Sequence, residues 1–374
     1  MVRSMEKKRI AWITFNAFLD TDLYVVKNLS QFYFIDWHII RSGNDKFEYI
    51  DEIKKTNDKE SLSVHLHVCG ERLRMPSCAV YYMHLMDDIN RTKPDLYYSS
   101  LAGAPYYIPI FKMYTNLDKT ILAIHNVHVP KGGSAYIFFK LYNNYAISKF
   151  KHFQTFSESQ CFELKKIAKN KDVLYSPFIL KDYGKPKSIR KSDAITFLNF
   201  GNIREYKRLD VLINAAQTAY EKSSKEFRVI IAGKCDDWSK YEKIIKYPQL
   251  FDIRLGRVEN EDIPDLFNEC DYFVAPYQDI AQSGSSIVAV NYNKPIIASK
   301  LPAFEEYIED GKTGYLMKPA NVESLTDIMI KVLLNYDSEY LTMVNNVREV
   351  KEKQFSTDSI VRKYKEYFDE IINK

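Results

Sequence analysis

Short apolar runs alternate along this chain with longer stretches whose apolar residues recur every three or four positions, the marks of strands and helices in turn. Ile10 to Phe15 reads as a first strand, and Leu23, Val26 and Leu29 as one face of the helix after it. Phe34 to Ile40 and Ser63 to Val68 are further strands. Pro76 opens a helix through Ile89, and Leu96 to Ser99 and Thr120 to His125 are strands again. An aromatic helix, Tyr136 to Tyr142, follows, with Tyr145, Lys149, Phe150 and Lys151 beyond it. Phe153 to Phe156 is a strand. Ser157 then reads as the N-cap of a helix over Gln160 to Ala168, with Glu158 in the first turn where the macrodipole favours an acid. Val173 to Tyr175 is the last strand of this half.

The charged, Gly/Pro-containing stretch from Tyr183 to Lys191 marks a domain boundary, with residues 1–183 before it and 184–355 after it. The second half repeats the alternation. Ile195 to Phe200, Phe227 to Ala232, Tyr272 to Ala275 and Pro295 to Ala298 are its strands. Leu209, Leu212, Ile213 and Ala216 line one helix; Ile263 to Phe267 and Val322 to Leu334 are others. The final helix, in residues 356–374, is a candidate to pack back on the first domain. This order predicts an α/β protein of two doubly wound parallel sheets, with ligand chemistry at the carboxyl ends of the strands, where the two sheets can face one another across a cleft.

Composition narrows the function classes. Hydrophobic residues make up 46% of the 374-residue chain, enough for two cores, and no apolar run reaches the roughly 18 residues of a spanning helix. Lys7-Lys8-Arg9 before Ile10 to Leu19 imitates a signal peptide, but Asn16 interrupts the run and Asp20 and Asp22 follow at once, so a buried strand is expected there. The five cysteines are scattered and lack a C-x-x-C pair, which argues for a reducing cytoplasm and against a disulfide framework or a zinc site. A net charge of +4 is too small to imply nucleic acid and leaves room for anionic lipid or substrate.

Two stretches carry candidate chemistry. Gln282-Ser283-Gly284-Ser285-Ser286 follows an apolar strand and opens a helix expected over Ile287 to Tyr292, whose unpaired first amides favour a phosphate. Gly201-Asn202-Ile203-Arg204-Glu205-Tyr206-Lys207-Arg208 places cations at the end of another strand.

With Ile230 to Lys234, Asp271 to Tyr277, Lys294 to Ser299 and Glu306 to Leu316, these stretches resemble the donor domain of glycosyltransferase family 4 over residues 195 to 320. The resemblance implies a GT-B fold and retaining transfer of a sugar from a nucleotide-sugar without metal or cofactor. It implies Arg204 and Lys207 as catalytic, diphosphate-binding cations, and Gly201, Gly233, Gln282, Ser283, Gly284, Ser285 and Glu306 as donor-binding residues. It also implies His125 as a catalytic group near the donor sugar; a structural role, or confusion with the nearby His128, stays open for it. His65, His67 and His84 read as structural.

Three departures from the family pattern matter. The two glutamates of many members fall here at Ile280 and Val288, and a subgroup with Gln-Ser-Gly is matched instead, so the Gln282 amide is expected to take over sugar contacts. Glu306 reads equally as a donor acceptor or a surface acid, and Arg208 stands where members often carry glycine. Phe15-Asn16-Ala17 lacks the glycine pair of many relatives. The expected function is transfer from a UDP-sugar to a glycan or lipid-linked acceptor in bacterial-type surface polysaccharide synthesis, in the cytoplasm, at the inner membrane face if Tyr136 to Lys151 meets lipid rather than core. A non-catalytic nucleotide-sugar or glycan binding protein and a sugar-nucleotide epimerase are the alternatives.

Overall fold

The computed structural model describes residues 7–43, 53, 60–127, 136–181, 183–188, 194–223 and 225–374. It divides into two compact units: Met1–Ile179 with Thr357–Lys374, and Leu180–Ser356. The division falls a few residues ahead of the boundary expected after residue 183, and the final helix belongs with the first unit.

The first unit contains β1 (Arg9–Phe15), α1 (Leu19–Leu29), β2 (Phe34–Ser42), β3 (Leu62–Cys69), α2 (Cys78–Arg91), β4 (Leu96–Ser100), α3 (Tyr107–Tyr114), β5 (Thr120–Ile124), α4 (Tyr136–Lys149), β6 (His152–Thr155), α5 (Glu158–Ile167) and β7 (Asp172–Tyr175). Its seven strands are all parallel, in the order β3-β2-β1-β4-β5-β6-β7. Helices cover both faces, which is why the central strands are almost continuously apolar. Ala11, Ile13 and Phe15 of β1 join the core beneath α2, α3 and α4, whereas Ile10 and Trp12 join the core on the other face with α1. Ser157 caps α5 by accepting a hydrogen bond from the Gln160 amide.

The second unit contains β8 (Ile195–Phe200), α6 (Leu209–Lys222), β9 (Phe227–Gly233), α7 (Ser239–Glu242), β10 (Phe251–Leu255), α8 (Ile263–Glu269), β11 (Tyr272–Ala275), α9 (Gly284–Asn291), β12 (Ile296–Ser299), α10 (Pro302–Glu305), β13 (Gly314–Met317) and α11 (Val322–Phe355). Its six strands are parallel, in the order β10-β9-β8-β11-β12-β13. In each unit the order reverses beside the first strand, between β1 and β4 and between β8 and β11. That reversal opens a crevice at the strands' carboxyl ends.

Helix α12 (Thr357–Asn373) returns to the first unit. Ile360, Val361, Tyr364, Phe368 and Ile371 form its buried face and join the core that contains Trp12 and Tyr98. Tyr33 Oη donates to Lys365 O (3.1 Å) and Asp369 Oδ1 (2.7 Å), and Lys119 Nζ donates to Ile371 O (2.7 Å) and Ile372 O (2.9 Å).

Several elements depart from the sequence pattern. Helix α9 starts at Gly284 rather than Ile287, because Ser283 caps it. Helix α11 runs on past Leu334 to Phe355. Strands β10 and β13 and helix α3 are additional; α3 carries Pro109 in its first turn, where a missing amide costs nothing.

Candidate functional site

In the second unit the site grows from two glycines. Gly201 follows β8 with φ +106°, and a Cβ there would lie 3.3 Å from Lys207 Nζ and 3.6 Å from Ser285 Cβ. Gly233 ends β9 with φ +152°, and a Cβ there would stand 2.1 Å from Gly201 O, an impossible contact. Glycine at both positions therefore lets two backbone segments cross and leaves room between Gly201, Lys207 and Ser285.

The Gly201 loop then bends back. Gly201 N donates to Ala232 O (2.9 Å) and Ile203 N to Lys234 O (2.8 Å), extending the β8–β9 pairing past the strand ends. A single 3-10 turn, Glu205–Lys207, ends at Arg208, whose φ of 50° is left-handed. A glycine would hold that conformation without a Cβ penalty. Arg208 is instead tied to Asp210 through Nε–Oδ1 (2.9 Å) and Nη2–Oδ2 (2.8 Å).

The turn buries Lys207, which is only 9% exposed. Its ammonium lies 5.4 Å from the centroid of the Tyr277 ring and has no carboxylate partner among the described residues. Burial lowers its pKa, with the nearby Arg204 charge adding to the effect and Tyr206 opposing it. An ammonium buried without a counter-ion is costly to keep, and an arriving anion would compensate it. Arg204 is placed differently: it is about half exposed and ion-paired with Asp236 beyond β9.

The start of α9 closes the site. Ser283 Oγ accepts from Ser286 N (3.3 Å), and the first intrahelical bond runs from Ile287 N to Ser283 O (3.3 Å). The amides of Gly284 and Ser285 precede that bond and point along the positive end of the helix. Ser285 Oγ lies 3.2 Å from Tyr277 Oη and 3.4 Å from Ser283 Oγ. Ser286 Oγ lies 2.6 Å from Tyr307 Oη, fastening the helix start to the segment after α10. Gln282 and Glu306 are half-buried, and both have partners within the chain. Gly201, Lys207, Ser283 and Ser285 thus come together around one space, with Gly233 supporting it from behind and Arg204 at its exposed side.

Tyr277, Tyr206, Asp236 and Tyr307 join this set although none was singled out from the sequence. Gln278 N donates to Tyr206 O (2.8 Å), and the Tyr206 and Tyr277 rings meet edge to face at 6.1 Å. The sequence signal for Tyr277 is its place two residues past the strand end in the matched stretch.

His125 lies in the first unit, directly after β5. Its ring is stacked between Phe18 (4.1 Å) and Phe156 (4.3 Å), with Phe178 at 6.0 Å. Nε2 is shielded and has no hydrogen-bond partner among the described residues. Burial pushes its pKa down to about 3, with Asp20 opposing, so the imidazole is neutral at pH 7. His128 lies outside the described residues. His38, His65 and His67 form a cluster at the β2–β3 edge: His38 Nδ1 is 3.0 Å from His67 Nε2, and the His38 and His65 rings stack at 4.7 Å. Among the described residues no group of His, Cys, Asp or Glu could hold a metal ion, and no helix is long and apolar enough to cross a membrane.

Residues 182–350 match the family described as glycosyl transferases group 1. A relative named "Uncharacterized 41.2 kDa protein in cps region", from Klebsiella pneumoniae, is 26% identical over 220 residues, which is 56% of this chain and 58% of the relative. The chain thus spans little more than half the length of that relative. Among solved structures, a glycosyltransferase from Rickettsia africae has a TM-score of 0.74 at 17% identity, covering 98% of this chain and 99% of that one. Anabaena Alr3699/HepE in complex with UDP has a TM-score of 0.73 at 16% identity, covering 97% and 100%. The fold is GT-B, two parallel-sheet α/β domains.

Proposed function

We propose that this chain is a retaining glycosyltransferase of the family 4 type that moves a sugar from a UDP-sugar to a glycan or lipid-linked acceptor in surface polysaccharide synthesis. The observation that carries the reading is Lys207, a buried ammonium without a carboxylate partner among the described residues, facing a glycine-cleared space at a helix N-terminus. Sugar transfer leaves a nucleoside diphosphate, and the charge growing on its leaving oxygen is what fixed cations and helix-start amides stabilise.

In this reading Lys207 and the Gly284 and Ser285 amides hold the diphosphate, with no added metal ion or cofactor. Arg204 leaves Asp236 to join them. Gln282 and Glu306 contact the donor sugar, and His125 serves as a neutral hydrogen-bonding group rather than a proton donor. The acceptor hydroxyl attacks on the face the leaving group departs from, and the diphosphate accepts its proton. The group 1 match and the UDP-bound structural neighbour support the donor class. The relative named for a cps region supports the polysaccharide setting.

A cytoplasmic place at the inner membrane face belongs to the same reading. Helix α4 exposes Ile137 (72%) and Leu141 (64%), carries Lys140 and Lys149, and has no acidic residue. That combination suits an anionic lipid surface. Lys151, beyond it, is paired with Asp118 and does not contribute a free charge. Unchanged sedimentation of Lys140→Glu/Lys149→Glu with anionic vesicles would remove the membrane contact.

The test of the donor site is transfer by Arg204→Ala and Lys207→Ala with each UDP-sugar. Both variants should fold and lose transfer, and near-normal rates in both would overturn the assignment. Donor binding with neither transfer nor hydrolysis in the unmodified protein would favour a binding module, and an isomerised sugar would favour an epimerase.

A further inference from the structure

All five cysteines are free thiols, but two of them touch. Cys69 Sγ at the end of β3 and Cys78 Sγ at the start of α2 are 3.4 Å apart, and the residues are 5% and 1% exposed. A disulfide needs the sulfurs about 2.05 Å apart, so an approach of about 1.4 Å would join them. Residues 70–77 between them are exposed except for half-buried Leu73, and a Cβ on Gly70 would have no neighbour within 4 Å. The loop is tied down by Tyr82 Oη donating to Leu73 O (3.0 Å), Cys78 Sγ to Arg72 O (3.3 Å), and the exposed bonds of Ser42 Oγ to Glu71 O (3.3 Å) and Ser77 Oγ to the Glu71 carboxylate, with Leu73 packed against the core. An exposed loop beside a touching thiol pair leaves a small oxidant only a short path to the sulfurs.

We propose that Cys69 and Cys78 form a reversible dithiol–disulfide site, oxidised by a small peroxide, that ties the end of β3 to the start of α2. One thiol attacks the peroxide, its sulfur becoming a sulfenic acid as one water leaves. The second thiol displaces the sulfenic oxygen as a second water, and the S–S bond forms. Two thiols and one hydrogen peroxide thus give one disulfide and two waters. Burial and the neighbouring Cys69 push the Cys78 thiol up to about 11, so little of it is thiolate at neutral pH and it reacts slowly with weak oxidants. The site stands apart from the donor-site reading and does not depend on it.

The experiment treats the whole protein with hydrogen peroxide under native conditions, then alkylates it after denaturation and maps the peptides by mass spectrometry. Alkylatable thiols should fall from five to three, with one cross-linked Cys69–Cys78 peptide, two hydrogens lighter, restored by dithiothreitol. Cys161→Ser should still cross-link, and Cys78→Ser, shown folded by circular dichroism, should not. A folded, peroxide-treated protein that keeps all five thiols, pairs other cysteines, or carries sulfinic acid at Cys69 or Cys78 without a cross-link would overturn the proposal.

Discussion

Replacing Lys207 with methionine separates the two sides of its burial. Methionine keeps an unbranched apolar stem of similar length and removes the charge that lies over Tyr277. The folded-state pKa of Lys207 is lowered, so below it both folded and unfolded chains carry the proton and the fold bears the full cost of the buried charge. That cost is relieved only as pH rises through the folded pKa toward the unfolded value of 10.5. At pH 7 the variant without ligand should therefore be as stable as the parent or more so. Binding should move the other way. Losing one charge-assisted contact removes about 1.5–3 kcal/mol, a roughly 10- to 150-fold rise in Kd for UDP. With UDP at 100 times the parent Kd, stabilisation should fall from about 2.7 kcal/mol to about 0.3–1.4 kcal/mol. For a domain of 150–250 residues, that turns a midpoint shift of ~5–11 °C into one of ~1–6 °C. The assay is thermal unfolding of parent and variant with and without UDP, with titration calorimetry for Kd. An unchanged UDP-induced shift, or a variant several degrees less stable without ligand, would refute the reasoning.

His125, with its pKa near 3, should show no imidazole NMR titration between pH 5 and 9. The unfolded chain binds this proton from about pH 6.5 downward while the folded one does not, so its contribution to stability should be lost progressively from there toward pH 3 and be flat above. Gly233→Ala should disrupt the Gly201 loop, because the new Cβ meets a carbonyl oxygen at 2.1 Å; loss of UDP binding together with lower thermal stability is the expected readout. Deleting residues 357–374 removes five buried side chains, each contributing about 1.5–3 kcal/mol. That sum rivals the whole stability of a domain, so hydrogen exchange should find the first unit unprotected and the second intact.

Most of the scaffold was legible because the strands are buried on both faces and the helices have one apolar stripe. Ser157 was readable as a cap from its position before Glu158 and Gln160. The apolar pattern points to Ile287 as the start of α9, but the Ser283 side chain caps the helix and sets its start at Gly284. Asn335-Tyr336-Asp337-Ser338 looks like a turn, yet Tyr336 Oη donates to Asp271 Oδ1 (2.7 Å) and Met343 and Val347 are buried, so tertiary contacts carry α11 through it. Strand β10 mixes Asp252 and Arg254 with apolar residues because it is an edge. Of the site, the cations and glycines could be read from motif order. The burial of Lys207, the Arg204–Asp236 pair and the stacking around His125 could not, since each depends on residues far apart in sequence.

The return of α12 to the first unit also orders events during synthesis. Tyr33 waits for Lys365, 332 positions later, and the entire second unit is translated in between. At about 5–20 residues per second, the growing first unit exposes the apolar patch around Trp12 and Tyr98 for roughly ten seconds or more after its strands have emerged. A nascent chain in that state is a natural client for a chaperone, whereas the second unit is continuous in sequence and can close as soon as Ser356 leaves the ribosome.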